Sequence, residues 1–239
     1  MRFLSLQLAL LLITLPLSAC YMQPPNPEAP SDPLQHLNRD TQRLNDKLDK
    51  AVFKPVAKGY RAITPYALRR GVGNFFSNVN EVSVIGNDLL QLRIGWTMYD
   101  LWRFVINTTV GIGGLFDVAK HVGLKAHKND FGLTLNRWHI YTPYLVLPGF
   151  GPNTIGSAIG IPVDYYMSPW PIIPIRTRVA LFVTKQIDKR ARLLPQEKRV
   201  EGLMLDPYIF YQNAYLQYRA HLRQINANGP YFPRYHKHP

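Results

Sequence analysis

Histidines are the side chains in this sequence that could most readily act as a base or a metal ligand. His121 and His127 are six residues apart in a segment that we expect to be a loop, and the chain contains no HExxH motif. A zinc site needs three or four nitrogen, sulfur or carboxylate ligands held close together. This pair has no such motif, so we expect both rings at the surface and predict no metal site and no cofactor.

Two other strings match active-site motifs only in part. Residues 130–132 spell the kinase string DFG, but no glycine-rich strand, VAIK or HRD accompanies them. Residues 156–158 read GSA, which lacks the GxSxG spacing of a nucleophile elbow. Because no nucleophile–base set can be assembled from the sequence, we predict that the protein is not an enzyme.

A glycine cluster lies within NTTVGIGGLFDVAK, residues 107–120. A phosphate-binding loop of either common type follows a strand, and a P-loop carries Lys and Ser or Thr after its last glycine. Here the glycines follow an amphipathic helix, and Leu and Phe come next. We therefore predict that Gly111, Gly113 and Gly114 form a compact turn between helices. A turn that also admits lipid or a neighbouring helix is the open alternative.

The first twenty residues, MRFLSLQLALLLITLPLSAC, have the plan of a bacterial lipoprotein signal. Arg2 precedes an apolar run, and small residues precede Cys20, the single cysteine of the chain. We expect residues 1–19 to be removed and Cys20 to be acylated, since several acyl chains anchor a protein durably. Tyr21 follows the cysteine where an Asp would favour retention at the inner membrane, so the sequence favours the outer membrane.

The charge balance indicates a partner that is anionic. The formal net charge is +13, which in a cytoplasmic protein would indicate nucleic acid. Export excludes nucleic acid and leaves anionic lipid head groups as the natural partner. Charged residues make up 18% of the chain, below the roughly 25% of soluble domains, and aromatic residues make up 12%. This composition predicts apolar surface that faces something other than water.

The periodicity predicts one all-helical domain over residues 32–225. Apolar residues recur at spacings of three and four, and the one clear strand signal is 144–147. Residues 20–31 are proline-rich and are expected to be a tether, and 226–239 a flexible basic tail. A break is expected at residues 80–81. No stretch of the mature chain has the eighteen apolar residues of a spanning helix, so we expect helices that lie along a membrane.

The string SPWPIIPIR, residues 168–176, is the best candidate for membrane contact. It places Trp170, Ile172 and Ile173 among three prolines, which suits a loop that dips into the interfacial zone. A basic amphipathic helix is expected directly after it, from about residue 175 to 194, where its cations could meet anionic head groups.

Seven long strings of the mature sequence occur in an order typical of one family. SDPLQHLNR, KPVAKGYR, TPYALRRGVGNFFSNVNE, NTTVGIGGLFDVA, DFGLTL, PYLVLPGFGP and LDPYIFYQNAYLQYR resemble, in this order, the MlaA/VacJ family of outer-membrane lipoproteins. The resemblance spans about residues 31–222. It implies a ring of amphipathic helices seated in one leaflet, around a central amphipathic channel.

The resemblance also implies a function. Phospholipids misplaced in the outer leaflet would pass through the channel to a periplasmic carrier, MlaC, with a trimeric porin as partner, so that lipid asymmetry is maintained. A lipoprotein scaffold that transports nothing is the alternative. By position, Cys20 would be acylated and residues 163–182 would form a hairpin beside the channel. Its lipid-facing members would be Tyr165, Tyr166, Trp170, Ile172 and Ile173.

Two departures from the family pattern are visible. Val82 stands where a proline often follows the Glu of the NxNE string, and NRWHIY at residues 136–141 replaces a glycine-rich run. The first changes a helix start. The second changes a loop, and with it any partner contact that the loop makes.

Overall fold

A computed structural model describes residues 32–200, 202 and 204–230 of the 239-residue chain. The expected signal peptide, Cys20 and the proline-rich tether lie outside the described residues, as do residues 231–239 of the expected tail.

The described chain is helical apart from one small sheet. In chain order its elements are α1 (Gln35–Leu48), a π-helical turn (Asp49–Phe53), α2 (Lys54–Ile63), α3 (Tyr66–Leu90), α4 (Ile94–Thr109), α5 (Val118–His121), α6 (Phe131–Arg137), β1 (Tyr144–Leu147), β2 (Gly151–Thr154), α7 (Ile155–Met167), a 3-10 turn (Trp170–Ile172), α8 (Ile175–Val200) and α9 (Pro207–Asn228). The prediction of a helical fold with a strand at 144–147 is confirmed.

Three helices begin with side-chain caps that the sequence encodes. The carboxylate of Asp130 accepts a hydrogen bond from the backbone N–H of Leu133 at the start of α6. Thr154 caps α7 in the same way. Asp206 accepts from two backbone N–H groups of α9, ahead of Pro207. A capped first turn with proline at its first position is a stable helix start, because it satisfies donors that have no partner inside the helix.

Helix α3 runs through the break expected at residues 80–81. Neither Asn80 nor Glu81 is a helix breaker of the strength of glycine or proline. Glu81 is also held inside the protein by Arg103 of α4, so its carboxylate does not compete with the local backbone. The π-helical turn joins α1 to α2, and Pro55 occupies the first turn of α2.

The elements pack in a closed circuit. From α1 the contacts lead through the π-helical turn and α2 to α8, from α8 to α3, from α3 to α7, and from the sheet beside α7 back to α1. Helix α4 packs along α3, and α6 packs along α7. The result is a ring-like arrangement in which each helix touches its neighbours along the ring.

The sheet closes this circuit through two asparagines of α1, of which Asn45 donates to the carbonyl of Leu147 at 2.9 Å. Strands β1 and β2 are antiparallel, with Tyr144 opposite Thr154. The side chain of Asn38 on α1 accepts from the N–H of Val146 at 2.8 Å and donates to the carbonyl of Tyr144 at 3.2 Å. These two bonds use backbone groups at the free edge of β1, which would otherwise need another partner. Asn38 therefore joins α1 to the sheet.

The last helix fastens several parts of the ring together. Arg219 of α9 pairs with Asp130, the residue that caps α6. Gln212 donates to Asp32 at 2.7 Å, and Tyr208 donates to the same carboxylate. Helix α9 continues to Asn228, and Asn226 is buried, so the domain extends past the expected boundary at residue 225.

In the part of the chain that the structure describes, no helix combines the length and the apolar character needed to cross a membrane.

Candidate functional site

The polarity of helix α4 is inverted relative to a helix of a water-soluble protein. Its apolar residues Ile94, Met98, Leu101 and Val105 follow a helical stripe and are exposed, as is Trp102. On the opposite side, Asp100, Arg103 and Asn107 are buried. Water-soluble helices turn the apolar stripe inward, because burying it removes apolar surface from water.

The same inversion extends to α1 and to the molecule as a whole. Asn38 and Gln42 are the buried residues of α1, while Leu37, Leu44 and Leu48 are exposed. Among the described residues, buried polar and charged side chains outnumber buried apolar ones. Exposed apolar surface on several helices marks a membrane or protein contact. It is the main candidate for the functional surface.

A buried ion pair joins α3 to α4. Arg103 Nε lies 2.6 Å from Glu81 Oε1, and both side chains are nearly inaccessible. The guanidinium also meets Asp117 at 3.1 Å and donates to the carbonyl of Leu124 at 2.5 Å. Burial raises the pKa of Glu81 to about 7, although Arg103 opposes that shift. Removing the guanidinium would leave Glu81 as an uncompensated buried acid.

Buried amides form a second network that joins α3, α6 and α7. Asn87 Nδ2 donates to Asp164 Oδ1 at 2.7 Å, and Thr134 Oγ1 donates to Asn87 Oδ1 at 2.8 Å. Gln91 Nε2 donates to Thr134 and to Asn129, each at 2.9 Å. Such a network orients its members uniquely when their hydrogen-bonding capacity is met.

Two aspartates and a histidine form a third buried group. His127 Nδ1 lies 2.7 Å from Asp100 Oδ2 and 3.8 Å from Asp88 Oδ2. Burial raises the pKa of each aspartate to about 7 and lowers the pKa of His127. The expectation of a surface ring is therefore wrong for His127, whereas His121 is exposed.

The glycine cluster lies in the turn that follows α4. Gly113 and Gly114 have positive φ angles of 65° and 89°. A Cβ on Gly114 would lie 2.4 Å from the Cβ of Asn78 on α3, and one on Gly111 would lie 2.3 Å from the carbonyl oxygen of Phe116. Gly111 and Gly114 therefore have no room for a Cβ atom. Nothing lies within 4 Å of a Cβ on Gly113, so at that position the positive φ angle is the reason for glycine.

The loop between α7 and α8 is anchored at one end and exposed at its tip. Trp170 is buried and stacks on Phe76 of α3, with ring centroids 6.2 Å apart. Arg178 of α8 donates to the carbonyl of Ile173 at 2.9 Å. Ile172, between them, is 85% exposed.

The five residues expected to face lipid therefore differ in their surroundings. Tyr166 and Ile172 are strongly exposed, and Tyr165 and Ile173 are partly buried. The hydroxyl of Tyr165 accepts a hydrogen bond from Arg178. The indole of Trp170, by contrast, is buried within the protein, because Phe76 covers it and Lys185 Nζ lies 5.5 Å from its ring. Its role in this structure is to hold the loop in place.

Helix α8 continues the exposed apolar surface and then becomes basic. Ile175, Val179, Phe182 and Val183 are exposed near its start. Further along, a cleft of about 860 Å³ between α2 and α8 is lined by four cationic side chains and one acid, namely Lys54, Lys58, Arg61, Lys198 and Glu197. Lys54 pairs with Glu197 at 2.9 Å. The excess of positive charge suits an anionic group.

Sequence reasoning did not find Asp88 and Asp100. They lie on two different helices, and no spacing motif connects them to His127. Their sequence context could have indicated them. Each aspartate interrupts an otherwise apolar or neutral stretch of an amphipathic helix, Asp88 in NDLL and Asp100 in YDLW.

Comparison with known proteins is consistent with the geometry. The sequence matches the MlaA lipoprotein family over residues 30–222. The intermembrane phospholipid transport system lipoprotein MlaA of Escherichia coli K12 is 33% identical over 219 residues, which are 87% of this chain and 85% of that protein. The protein of the same name from Haemophilus influenzae is 28% identical over 194 residues, covering 78% and 77%. An uncharacterized protein of Rickettsia prowazekii is 36% identical over 186 residues, covering 77% and 74%.

The fold is also similar to one already solved. A structure from a study of the structural basis for maintenance of bacterial outer membrane lipid asymmetry matches 81% of this chain and 99% of that chain. The TM-score is 0.66 and the sequence identity is 31%. The prediction of an all-helical, ring-like fold is confirmed. The chain belongs to the MlaA lipoprotein family.

Proposed function

We propose that this protein is an outer-membrane lipoprotein of phospholipid transport. It takes phospholipids that are misplaced in the outer leaflet, passes them through an amphipathic channel and delivers them to a soluble periplasmic carrier, MlaC. In doing so it maintains the lipid asymmetry of the outer membrane. It does no covalent chemistry on the lipid.

The inverted polarity of the helices is the observation that carries this proposal. Exposed apolar stripes on α1, α4 and α8 need an apolar surrounding, which the acyl chains of one leaflet provide. None of the described helices could cross the bilayer alone, which fits helices that lie within one leaflet. The buried polar side chains then join the helices to one another through hydrogen bonds and ion pairs, so that the apolar stripes can face outward.

Individual residues have distinct roles in the proposal. Cys20 carries the acyl chains that anchor the protein. Tyr166 and Ile172, which are exposed beside the loop held by Trp170, contact lipid. Lys58 and Arg61 of the basic cleft face anionic head groups at the membrane surface, where each cation contributes about 1 kcal/mol of attraction.

A trimeric porin and the carrier MlaC are the proposed partners. Exposed apolar residues lie on three helices, α1, α4 and α8, so part of this surface is available to a membrane protein. The family resemblance supports a porin in that position and MlaC on the periplasmic side. Of the changed segment, residues 136 and 137 end α6 and residues 138–141 follow that helix.

A reconstituted transfer assay tests the proposal. The purified protein and a porin are placed together in vesicles that contain a fluorescent phospholipid, and soluble carrier is added outside. Lipid is expected on the carrier only when all three proteins are present. A non-transporting scaffold would bind the porin and the vesicle and give no transfer, and that result would overturn the proposal.

Variants at the loop tip sharpen the assay. Ile172→Asp is expected to slow transfer, because it puts a charge on a side chain that is 85% exposed at the proposed lipid contact. Ile172→Leu keeps the apolar tip and is the matched control. Equal transfer rates for the two variants would show that the loop tip does not contact the transported lipid. Separately, Cys20→Ala is expected to release the protein from the membrane fraction of cells.

A further inference from the structure

The buried group of Asp88, Asp100 and His127 draws on three separate parts of the chain. Asp88 belongs to α3, Asp100 to α4, and His127 to the segment before α6. Both aspartates are fully buried and His127 is 5% exposed. One ligand atom from each of the three side chains lies within 4.8 Å of the other two.

The hydrogen bonds of Asn226 fix the tautomer of the histidine. Asn226 Nδ2 faces the carbonyl oxygen of Lys128 at 3.5 Å, so its Oδ1 is the atom that lies 2.5 Å from His127 Nε2. An amide oxygen can only accept, and Nε2 must therefore carry the proton. In the neutral ring, Nδ1 is then an acceptor.

Three potential ligand atoms consequently converge on one small volume. Nδ1 of His127 points towards Asp100 Oδ2 at 2.7 Å and Asp88 Oδ2 at 3.8 Å. Asp88 Oδ2 and Asp100 Oδ1 are buried and receive no hydrogen bond from an amide, a hydroxyl or a backbone N–H group, although the two carboxyl groups interact with each other. Buried carboxylate oxygens that lack such donors are costly and call for a cation between them.

Two guanidinium groups near this point donate their hydrogen bonds elsewhere. Arg93 interacts electrostatically with Asp88 and His127, but its Nη1 donates to the backbone carbonyl of Asn226. Arg103 is bonded to Glu81, Asp117 and the carbonyl of Leu124. The other oxygen of Asp88 accepts from Asn129 at 2.7 Å, and Gln91 holds Asn129 in turn. These bonds orient the carboxylate and leave Oδ2 directed at the cluster.

We propose that Asp88, Asp100 and His127 bind a divalent transition-metal ion, with Zn²⁺ the best fit. Imidazole and carboxylate ligands suit Zn²⁺, whereas Mg²⁺ and Ca²⁺ take oxygen ligands. Zinc binds these groups at about 2.0–2.2 Å, so its ligand atoms lie about 3–3.5 Å apart. His127 Nδ1 lies 2.7 Å from Asp100 Oδ2 and 3.8 Å from Asp88 Oδ2, on either side of that range, so small side-chain shifts bring the three atoms into zinc coordination. A second carboxylate oxygen completes four-coordination. Asn226 acts as the outer partner that orients a metal-binding histidine.

The role of the ion is structural. It ties α3 to α4 and to the segment before α6, and through Asn226 it ties this part of the ring to the end of α9. It therefore holds the helices whose apolar sides are exposed. This inference concerns the stability of the ring and does not depend on what the ring transports.

Metal content of the intact protein tests the inference. The full-length protein, purified in detergent without a histidine tag or chelator, is expected to contain about one zinc per chain by elemental mass spectrometry. Asp88→Asn is expected to reduce the zinc content at least about five-fold, because an amide is a far weaker ligand. Asp164→Asn is the matched control: this aspartate also lies in the interior, bonded to Asn87, and is outside the cluster.

Cobalt binding to the chelated wild-type protein is a second readout that does not require a variant to fold. Co²⁺ is expected to give visible absorption bands and to quench Trp96, whose ring stacks on His127 at 3.9 Å. Trp96→Phe should remove most of that quenching. Added Zn²⁺ should raise the melting temperature of the chelated protein.

These experiments distinguish a metal ion bound at the cluster from a second proton on the ring of His127. Less than about 0.1 metal ion per chain, together with no thermal shift on adding Zn²⁺, would overturn the inference. So would equal zinc content in Asp88→Asn and the wild type. In that case the ring of His127 would be doubly protonated and bridge the two aspartates as an imidazolium, which nitrogen NMR detects directly.

Discussion

The turn after α4 offers a matched pair of glycine substitutions. Gly113 and Gly114 are adjacent and both have positive φ, so an alanine at either position is strained by its backbone conformation. They differ in the space around them. A Cβ at Gly113 meets nothing within 4 Å, whereas one at Gly114 lies 2.4 Å from the Cβ of Asn78. The pair therefore separates backbone strain from packing.

The expected magnitudes follow from that geometry. A non-glycine residue in the left-handed region costs about 1–2 kcal/mol, which is the whole penalty for Gly113→Ala. Gly114→Ala adds overpacking of about 1–3 kcal/mol. Asn78 cannot move away cheaply, because its Nδ2 donates to Thr108 Oγ1 at 2.9 Å, and losing that bond adds about 1 kcal/mol. Gly114→Ala is thus expected to be less stable than Gly113→Ala by about 2–4 kcal/mol.

Thermal unfolding in detergent, followed by circular dichroism, measures the difference. For a domain of this size 1 kcal/mol corresponds to about 2–4 °C, so Gly114→Ala should melt about 4–16 °C below Gly113→Ala. Equal melting temperatures for the two variants would refute the close approach of the turn to α3. A larger effect at Gly113 than at Gly114 would refute the positions assigned to the two residues.

Three further predictions concern charged groups. Arg103→Met should destabilise the protein by about 3–5 kcal/mol, since it leaves Glu81 buried and unpaired, and the double variant Arg103→Met/Glu81→Leu should recover part of this in the same unfolding measurement. Asp130→Asn keeps the cap of α6 and loses the charge opposite Arg219, so it should unfold at a higher temperature than Asp130→Ala, which loses both. Partial burial raises the pKa of Glu197, but hydrogen bonds from Lys54 and Arg190 outweigh it and leave that pKa below its ordinary value. The stabilisation by Glu197 is therefore present above pH 4.5 and lost as the pH falls, so the gap in melting temperature between wild type and Glu197→Gln should close on acidification.

Local signals in the sequence were sufficient to predict most of the helices and one strand. Asp206 followed by proline marks the start of α9, and the apolar run YLVL between Pro143 and Pro148 marks β1. Strand β2 was missed because its residues, GPNT, are poor strand formers, and pairing with β1 rather than propensity makes it a strand. The extension of α9 beyond residue 225 was missed for a related reason, since the burial of Asn226 depends on His127, which lies 99 residues away in sequence.

The candidate site was predictable only in part. The loop containing Ile172 was found because proline and Trp in an apolar string are typical of an interfacial segment. The burial of Trp170 was not, because it depends on Phe76 in α3 and the sequence does not show which helix covers the loop. The cluster of Asp88, Asp100 and His127 is likewise a product of how α3 and α4 pack together.

Amphipathic periodicity leaves one physical question open that only the packing answers. A stripe of apolar residues on a helix indicates that the two sides of the helix face environments of different polarity. It does not indicate which side faces the interior of the protein. In α4 the interior side carries Asp100, Arg103 and Asn107, so hydrogen bonds and ion pairs hold the helix in the ring. Such bonds gain strength where water is excluded, and each becomes a liability if one partner is lost. The stability of this fold therefore depends on a small number of buried polar contacts, with its exposed apolar residues left to interact with the surroundings.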